Sequence, residues 1–229
     1  MEMKKVILGA CLTMLLAAGT ANAALVAEWD LTGKTGAEVS DAATQTAANV
    51  SGVDLTRGSA LTASSASNGF GSTGWAGTNE NQYYQFGFTV ASGYQASLSE
   101  LWIATRSSST GPGTMGVYGS SDNFAHETLL ATFTQPSAIY LNSKIDLSGL
   151  AAITGTYLVR LKEIGDTAPN GYATANTGTF RVANYYDGTY TPTGFYGDVT
   201  SATPTPLPAA AWLLGSGLLG LAGIKRRQG

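Results

Sequence analysis

Between positions 24 and 203 the apolar residues recur at period two in short runs, and no segment carries the 3.6-residue period of a long amphipathic helix. Residues 82–90 are the clearest case. Tyr84, Phe86, Phe88 and Val90 fall on one face of an extended chain, with Gln85, Gly87 and Thr89 between them. Further runs lie at 98–105, 115–118, 129–133, 139–147, 157–164, 180–186 and 195–199, and two earlier ones at 25–31 and 50–56. Gly, Asn, Asp or Pro separates most of them, as turns require. About ten short strands predict an all-β fold of two packed sheets, and a jelly-roll-like β-sandwich is the expected architecture. Residues 35–48, rich in Ala and Thr, read as a loop or an irregular edge. Residues 64–81 read as a long polar surface loop held down by Phe70 and Trp75.

Charge narrows the function classes. Residues 24–203 carry seven Lys or Arg against fourteen Asp or Glu, a net of about −7, whereas the whole chain has a formal −3. The cations are scattered, so the basic patch that nucleic-acid binding needs is missing from the pattern. Roughly 180 residues suit one domain.

Both ends of the chain carry processing signals. Lys4 and Lys5 precede an apolar stretch at 6–18 and an A-x-A element, Ala21-Asn22-Ala23. That is the layout of a secretory signal peptide over residues 1–23, read by the Sec export machinery, with cleavage between Ala23 and Ala24. Cys11 loosely mimics a lipoprotein box. Cleavage there would leave only 6–10 as the apolar region, short of the ~7–15 residues a signal needs. After cleavage at Ala23 the chain would hold no cysteine, hence no disulfide and no Cys-ligated metal. At the other end an apolar run at 210–224 follows Pro204-Thr205-Pro206-Leu207-Pro208-Ala209 and precedes Lys225, Arg226 and Arg227. A helix over 207–224 would rise about 27 Å at ~1.5 Å per residue, enough for a thin hydrocarbon core. The three cations would hold that end cytoplasmic and place the domain across the membrane.

Motif, apolar helix, basic cluster and terminal position together make residues 204–229 resemble the VPLPA-type relative of the PEP-CTERM sorting domain. Thr205 stands where that family usually has Val. The resemblance implies recognition by an exosortase-type membrane protease of a Gram-negative bacterium, with cleavage near Pro206, Leu207, Pro208 and Ala209, and passage to the cell surface or its exopolysaccharide. Pro206 and Pro208 keep that element extended, as a protease substrate must be. The domain itself resembles the β-sandwich ectodomains that precede such tails, through Ala27-Glu28-Trp29-Asp30, Ser109-Thr110-Gly111-Pro112, the stretch from Tyr118 to Phe124 and the stretch from Gly178 to Asn184. In related jelly-roll modules an Asp-Asn pair on the last strand implies a structural Ca²⁺, ligated with groups from the first strand. Here Ala183 occupies the Asp position before Asn184, so a carboxylate is lost where a hard cation wants one. The reading is therefore a chain without a cofactor.

Candidate catalytic groups are few. His126, the single histidine, has no G-x-S-x-G nucleophile elbow nearby and reads as an exposed turn residue. One His and no Cys cannot furnish a common zinc set. Glu80, Glu100, Glu127, Glu163, Asp187 and Asp198 offer carboxylates for glycoside hydrolysis, but no spacing singles out a pair. Asp122-Asn123 suits a turn. Sugar binding needs exposed aromatic faces beside planar polar groups, and Tyr185, Tyr186, Tyr190, Phe195 and Tyr196 crowd the final hairpin with Asn184 and Asp187. Alternate members of that set are expected to fill the core. Under a carbohydrate-binding alternative, Trp75 in its Gly-rich loop, with Tyr185, Tyr186 and Tyr196, would be the stacking set, and extracellular polysaccharide the ligand. The reading is an exported, non-enzymatic surface protein, with a carbohydrate-binding module as the first alternative and a polysaccharide glycosidase or lyase as the second.

Overall fold

The computed structural model describes residues 23–202. The expected signal peptide up to residue 22, the Pro206–Ala209 motif, the helix expected over 207–224 and Lys225, Arg226 and Arg227 lie outside the described residues. Within them the chain runs through β1 (Ala24–Trp29), β2 (Ser40–Asp41), β3 (Gln45–Thr46), β4 (Val50–Arg57), β5 (Thr62–Ser64), β6 (Gly69–Thr73), β7 (Tyr83–Val90) and β8 (Tyr94–Ser107). The second half supplies β9 (Thr114–Ser120), β10 (Thr128–Thr134), β11 (Tyr140–Asp146), β12 (Thr156–Glu163), β13 (Phe180–Ala183), β14 (Tyr185–Tyr186), β15 (Tyr190–Thr191) and β16 (Thr193–Ser201). Each apolar run read at period two overlaps at least one of these strands, the run at 180–186 being divided between β13 and β14, and the fold is all-β.

One sheet has six antiparallel strands in the order β10–β9–β12–β7–β4–β2. The other is organised by its longest strand, β8, of 14 residues. On one edge β8 pairs with β11 from Glu100 to Arg106. On the opposite edge it has two partners end to end: β16 against Tyr94–Trp102, and β13 against Ala104–Ser107. Beyond them β1 pairs with β16 and β6 with β13, and β3 and β5 follow outward. The sheet thus has a seam. The chain leaves it after Ala183, makes the small hairpin β14–β15, and re-enters at Thr193. The exit of β1 after Trp29 and the entry to β6 at Gly69 meet at the same seam.

The sheets close on an aromatic core. Trp29 meets Phe86 edge-on at 5.1 Å and Phe195 at 6.1 Å, and Phe88 meets Phe195 at 5.2 Å. Each fully buried ring of this size contributes about 1.5–3 kcal/mol of transfer free energy, with an extra ~0.5–1.5 kcal/mol for an edge-to-face pair. With no cysteine between 24 and 203, this packing carries the cohesion that disulfides supply in many exported domains.

Residues 64–81 depart from the surface loop expected of them. They hold β6, and Phe70 and Trp75 are both fully buried. The glycines that suggested a loop are what bring this segment into the sheet. A Cβ on Gly69 would stand 2.7 Å from the Val182 carbonyl oxygen, and one on Gly71 2.6 Å from that of Ser64.

Candidate functional site

The seam is locked from beneath by one amide. Asn184 is buried. Its Oδ1 accepts the Leu31 N–H at 2.9 Å, and its Nδ2 donates to Asp30 Oδ1 at 2.7 Å and to Thr32 Oγ1 at 3.1 Å. Asp30 Oδ1 also accepts the Thr32 N–H at 2.9 Å. Burial pushes the Asp30 carboxyl up, but hydrogen bonds from Thr32 and Asn184 and the charge of Lys34 outweigh it and hold the group below its usual range. The donor set does not fit the Ca²⁺ site that the jelly-roll resemblance implies. Ala183 brings no carboxylate, and Asn184 turns its N–H groups, which cannot ligate a cation, toward Asp30. Among the described residues no three His, Cys, Asp or Glu side chains gather into a metal-binding group.

Above this floor the loops and the hairpin enclose a cleft of about 250 Å³. Asn68 adopts a left-handed φ of 55°, which lets its Oδ1 accept the Gly33 N–H at 2.7 Å and fixes the β6 entry against the β1 exit. Opposite, Asn142 on β11 accepts the Tyr186 N–H at 2.9 Å and ties the hairpin to the sheet edge. Tyr186 and Tyr190 face each other across the hairpin with ring centroids 4.7 Å apart. With Tyr140 they line the cleft together with Thr32, Ser67, Asn68 and Asn142. The side chains are well exposed: Tyr190 71 %, Tyr186 48 % and Tyr140 43 %, with Ile139 beside them at 62 %. Among the described residues, three of the eight large exposed hydrophobic side chains therefore line one cleft, and such clustering on a protein surface marks a candidate contact site.

The expected stacking set divides. Tyr186 lines the cleft. Tyr185, the next residue on a two-residue strand, points to the other side of the hairpin, as strand alternation dictates. There it packs on Trp102 at 5.3 Å, and Tyr196 packs on the same indole at 4.6 Å, with Lys144 Nζ 3.7 Å above the Trp102 ring. Tyr185 and Tyr196 are half-buried in that cluster and lie outside the cleft lining. Trp75 is the clear correction: it is enclosed in the core and offers no face to a ligand. Its Nε1 donates to Ser72 Oγ at 2.9 Å, Ser72 Oγ lies 2.7 Å from Tyr84 Oη, and Tyr84 donates to the Phe180 carbonyl at 2.8 Å. The chain of bonds satisfies every polar atom in it, so the indole is stable inside. Tyr140, Asn142, Asn68 and Thr32 are functional candidates that period and composition did not pick out. The only trace of them in the sequence is the Asn68-Gly69 pair, which favours a left-handed backbone.

Of the groups named for catalysis, His126 and Glu163 have the most distinctive surroundings. His126 Nδ1 lies 2.6 Å from Asp122 Oδ2 with the His side chain 92 % exposed. The His126 backbone and side chain, with Ser120, hold the Asp122 carboxyl down to about 2. Ser120 Oγ bonds Asp122 Oδ1 at 2.8 Å, not the imidazole, so no base activates it. Burial, and secondarily Asp166, pushes Glu163 up to about 7, in the range of a general acid. Its Oε1 accepts from Thr174 Oγ1 at 2.5 Å and its Oε2 is enclosed without a hydrogen-bond partner, and Glu163 lines a shallow depression with Glu80, Tyr118 and Lys162.

Fold and site together define an all-β sandwich with an aromatic cleft on an outer sheet face. Among solved structures, this chain is similar to family 29 carbohydrate-binding modules. A point mutant of such a module aligns with TM-score 0.41 and 9 % identity over 81 % of this chain and 99 % of that one. A different point mutant, complexed with mannohexaose, aligns with TM-score 0.39 and 12 % identity over 71 % and 89 %. No family model and no curated protein matches the chain.

Proposed function

We propose that this chain is an exported surface protein whose jelly-roll-type domain binds polysaccharide at the seam cleft. The carrying observation is the convergence of Tyr140, Tyr186 and Tyr190, all exposed, around a cleft edged by Asn68 and Asn142. Pyranose rings present flat C–H faces to aromatic rings and hydroxyl pairs to planar amides, and the cleft offers both partners a few ångströms apart. The cleft walls are preorganised by Asn184, Asn68 and Asn142, which lowers the ordering cost of binding. Export by the Sec machinery, and exosortase-type cleavage at Pro206, Leu207, Pro208 and Ala209, complete the reading and would deliver the domain to an extracellular polymer.

Affinity electrophoresis of the full chain through gels holding single polysaccharides tests the binding role. At least one polymer should retard the protein, and the double variant Tyr186→Ala/Tyr190→Ala should run freely while keeping its melting temperature within a few degrees. A panel of neutral and acidic polymers with no retardation at all overturns the reading.

A further inference from the structure

The row of residues next to the cleft carries an unusual pair of charges. Arg106 on β8 and Arg181 on β13 are direct cross-strand neighbours on the outer face of the sheet. Like charges placed opposite one another on antiparallel strands destabilise a sheet, so such a pair is normally relieved by a carboxylate nearby. No such relief exists among the described residues, where ion pairs within 4.0 Å join only Lys34 to Asp41, Asp122 to His126 and Glu127 to Lys162. The neighbours across the same row are Tyr140 on one side and Gly71 on the other. Arg106 Nε donates to the Ala138 carbonyl at 2.9 Å, which fixes its stem, and its guanidinium lies 5.5 Å from the centroid of the Tyr140 ring. Two residues along each strand, Asn142, Ala104, Ala183 and Gly69 form the adjoining row; Asn142 and Ala183 line the cleft itself. Tyr140 therefore belongs to both features, the cleft and the arginine pair.

A domain with a net charge of about −7 keeps two of its seven cations side by side, unpaired, on a surface floored by Gly and Ala, at the mouth of a cleft lined by uncharged residues. We propose that Arg106 and Arg181 form an anion-recognition subsite of the cleft and that the ligand is an acidic polysaccharide, with one sugar against the tyrosines and the carboxylate of its neighbour on the two guanidiniums. A guanidinium presents paired N–H donors that match a carboxylate bidentately, and two of them suit a group carrying a full negative charge. The proposal rests on the polysaccharide-binding reading and names its substrate class. A bound carboxylate would also offset the like-charge repulsion of this cross-strand pair.

The test compares one acidic polymer, such as polygalacturonate, with its carboxyl-reduced form, which keeps the backbone and loses the charge. The full chain in mild detergent should bind the acidic form about tenfold or more tightly at low ionic strength, and the difference should shrink as salt rises from about 20 to about 500 mM in the titration buffer. Arg106→Gln and Arg181→Gln should each remove most of that difference while leaving binding to the carboxyl-reduced polymer unchanged. Both variants should melt at or above the parent temperature in the absence of polymer, which separates a lost subsite from a damaged fold. Equal binding of the two polymer forms, or arginine variants that keep the preference, overturns the acidic-ligand proposal and leaves the cleft reading standing. Failure of both forms to bind is evidence against both.

Discussion

Single residues in this domain are placed by the balance between burial and hydrogen bonding, and Trp75 shows how that balance defeats a reading by composition. A tryptophan among Gly, Ser, Thr and Asn looks like a loop residue, yet Ser72 and Tyr84 lie where its indole N–H can be satisfied inside the core. Burial pushes the Tyr84 phenol well above its usual range, so it stays neutral and able to donate. Trp75→Ala should therefore cost about 3–5 kcal/mol of stability, from the lost burial of the indole and the cavity it leaves together. Urea denaturation would show the loss, and polysaccharide binding measured under folding conditions should be unaffected. Binding lost with stability retained would return Trp75 to the ligand site. Arg57 is a second such residue: its guanidinium donates to the Gly36, Glu38 and Gly71 carbonyls and lies 3.5 Å over the Phe70 ring. Neither role is legible in sequence, because each depends on partners brought together from distant strands.

At the level of elements, the recurring device is a loop pinned by one side chain. Asn184 pins the exit of β1, Asn142 pins the hairpin, and Thr174 pins the segment between β12 and β13 through Glu163. The last of these is coupled to pH. Glu163 rises from an ordinary 4.5 to about 7, so between those values the folded chain holds a proton that the unfolded chain has released. Its contribution to stability is complete below about pH 4.5 and is lost as pH rises through 7. Glu163→Gln keeps the acceptor for Thr174 and removes the titration. The variant and parent should melt together near pH 4.5, diverge as pH rises, and differ by a constant amount above about pH 8, with the variant higher. Parallel melting curves across that whole range would rule out this role. Strand positions were legible because a half-buried strand must alternate. The pins were not, since Asn and Glu occur as readily on a solvated surface.

Across the described residues, one strand, β16, runs from the seam toward the start of β1. β16 begins at Thr193, beside the seam, passes Gly197, the partner of Ala24 at the start of β1, and ends at Ser201. At ~3.3 Å per residue that places the cleft about 26 Å from the point where the chain continues toward its tail. For the tail itself, mass spectrometry of surface and inner-membrane fractions, with and without the processing protease, should find a surface form lacking residues 210–229 only when the protease is present. An intact tail in the inner membrane under both conditions would make it a simple anchor.

The sequence alone determined the class of fold, because the period of apolar residues is a local property and an alternating run has only one way to bury a face. It also determined the acidic balance of residues 24–203. The cleft was decided by tertiary structure. A sheet whose partner strands meet end to end creates a seam, and the seam brings Thr32, Asn68, Tyr140, Asn142 and Tyr186 together from distant parts of the chain. The opposition of Arg106 and Arg181 likewise follows from register between strands far apart in the chain. Long-range register is set by the packing of the whole core, so no local pattern encodes it.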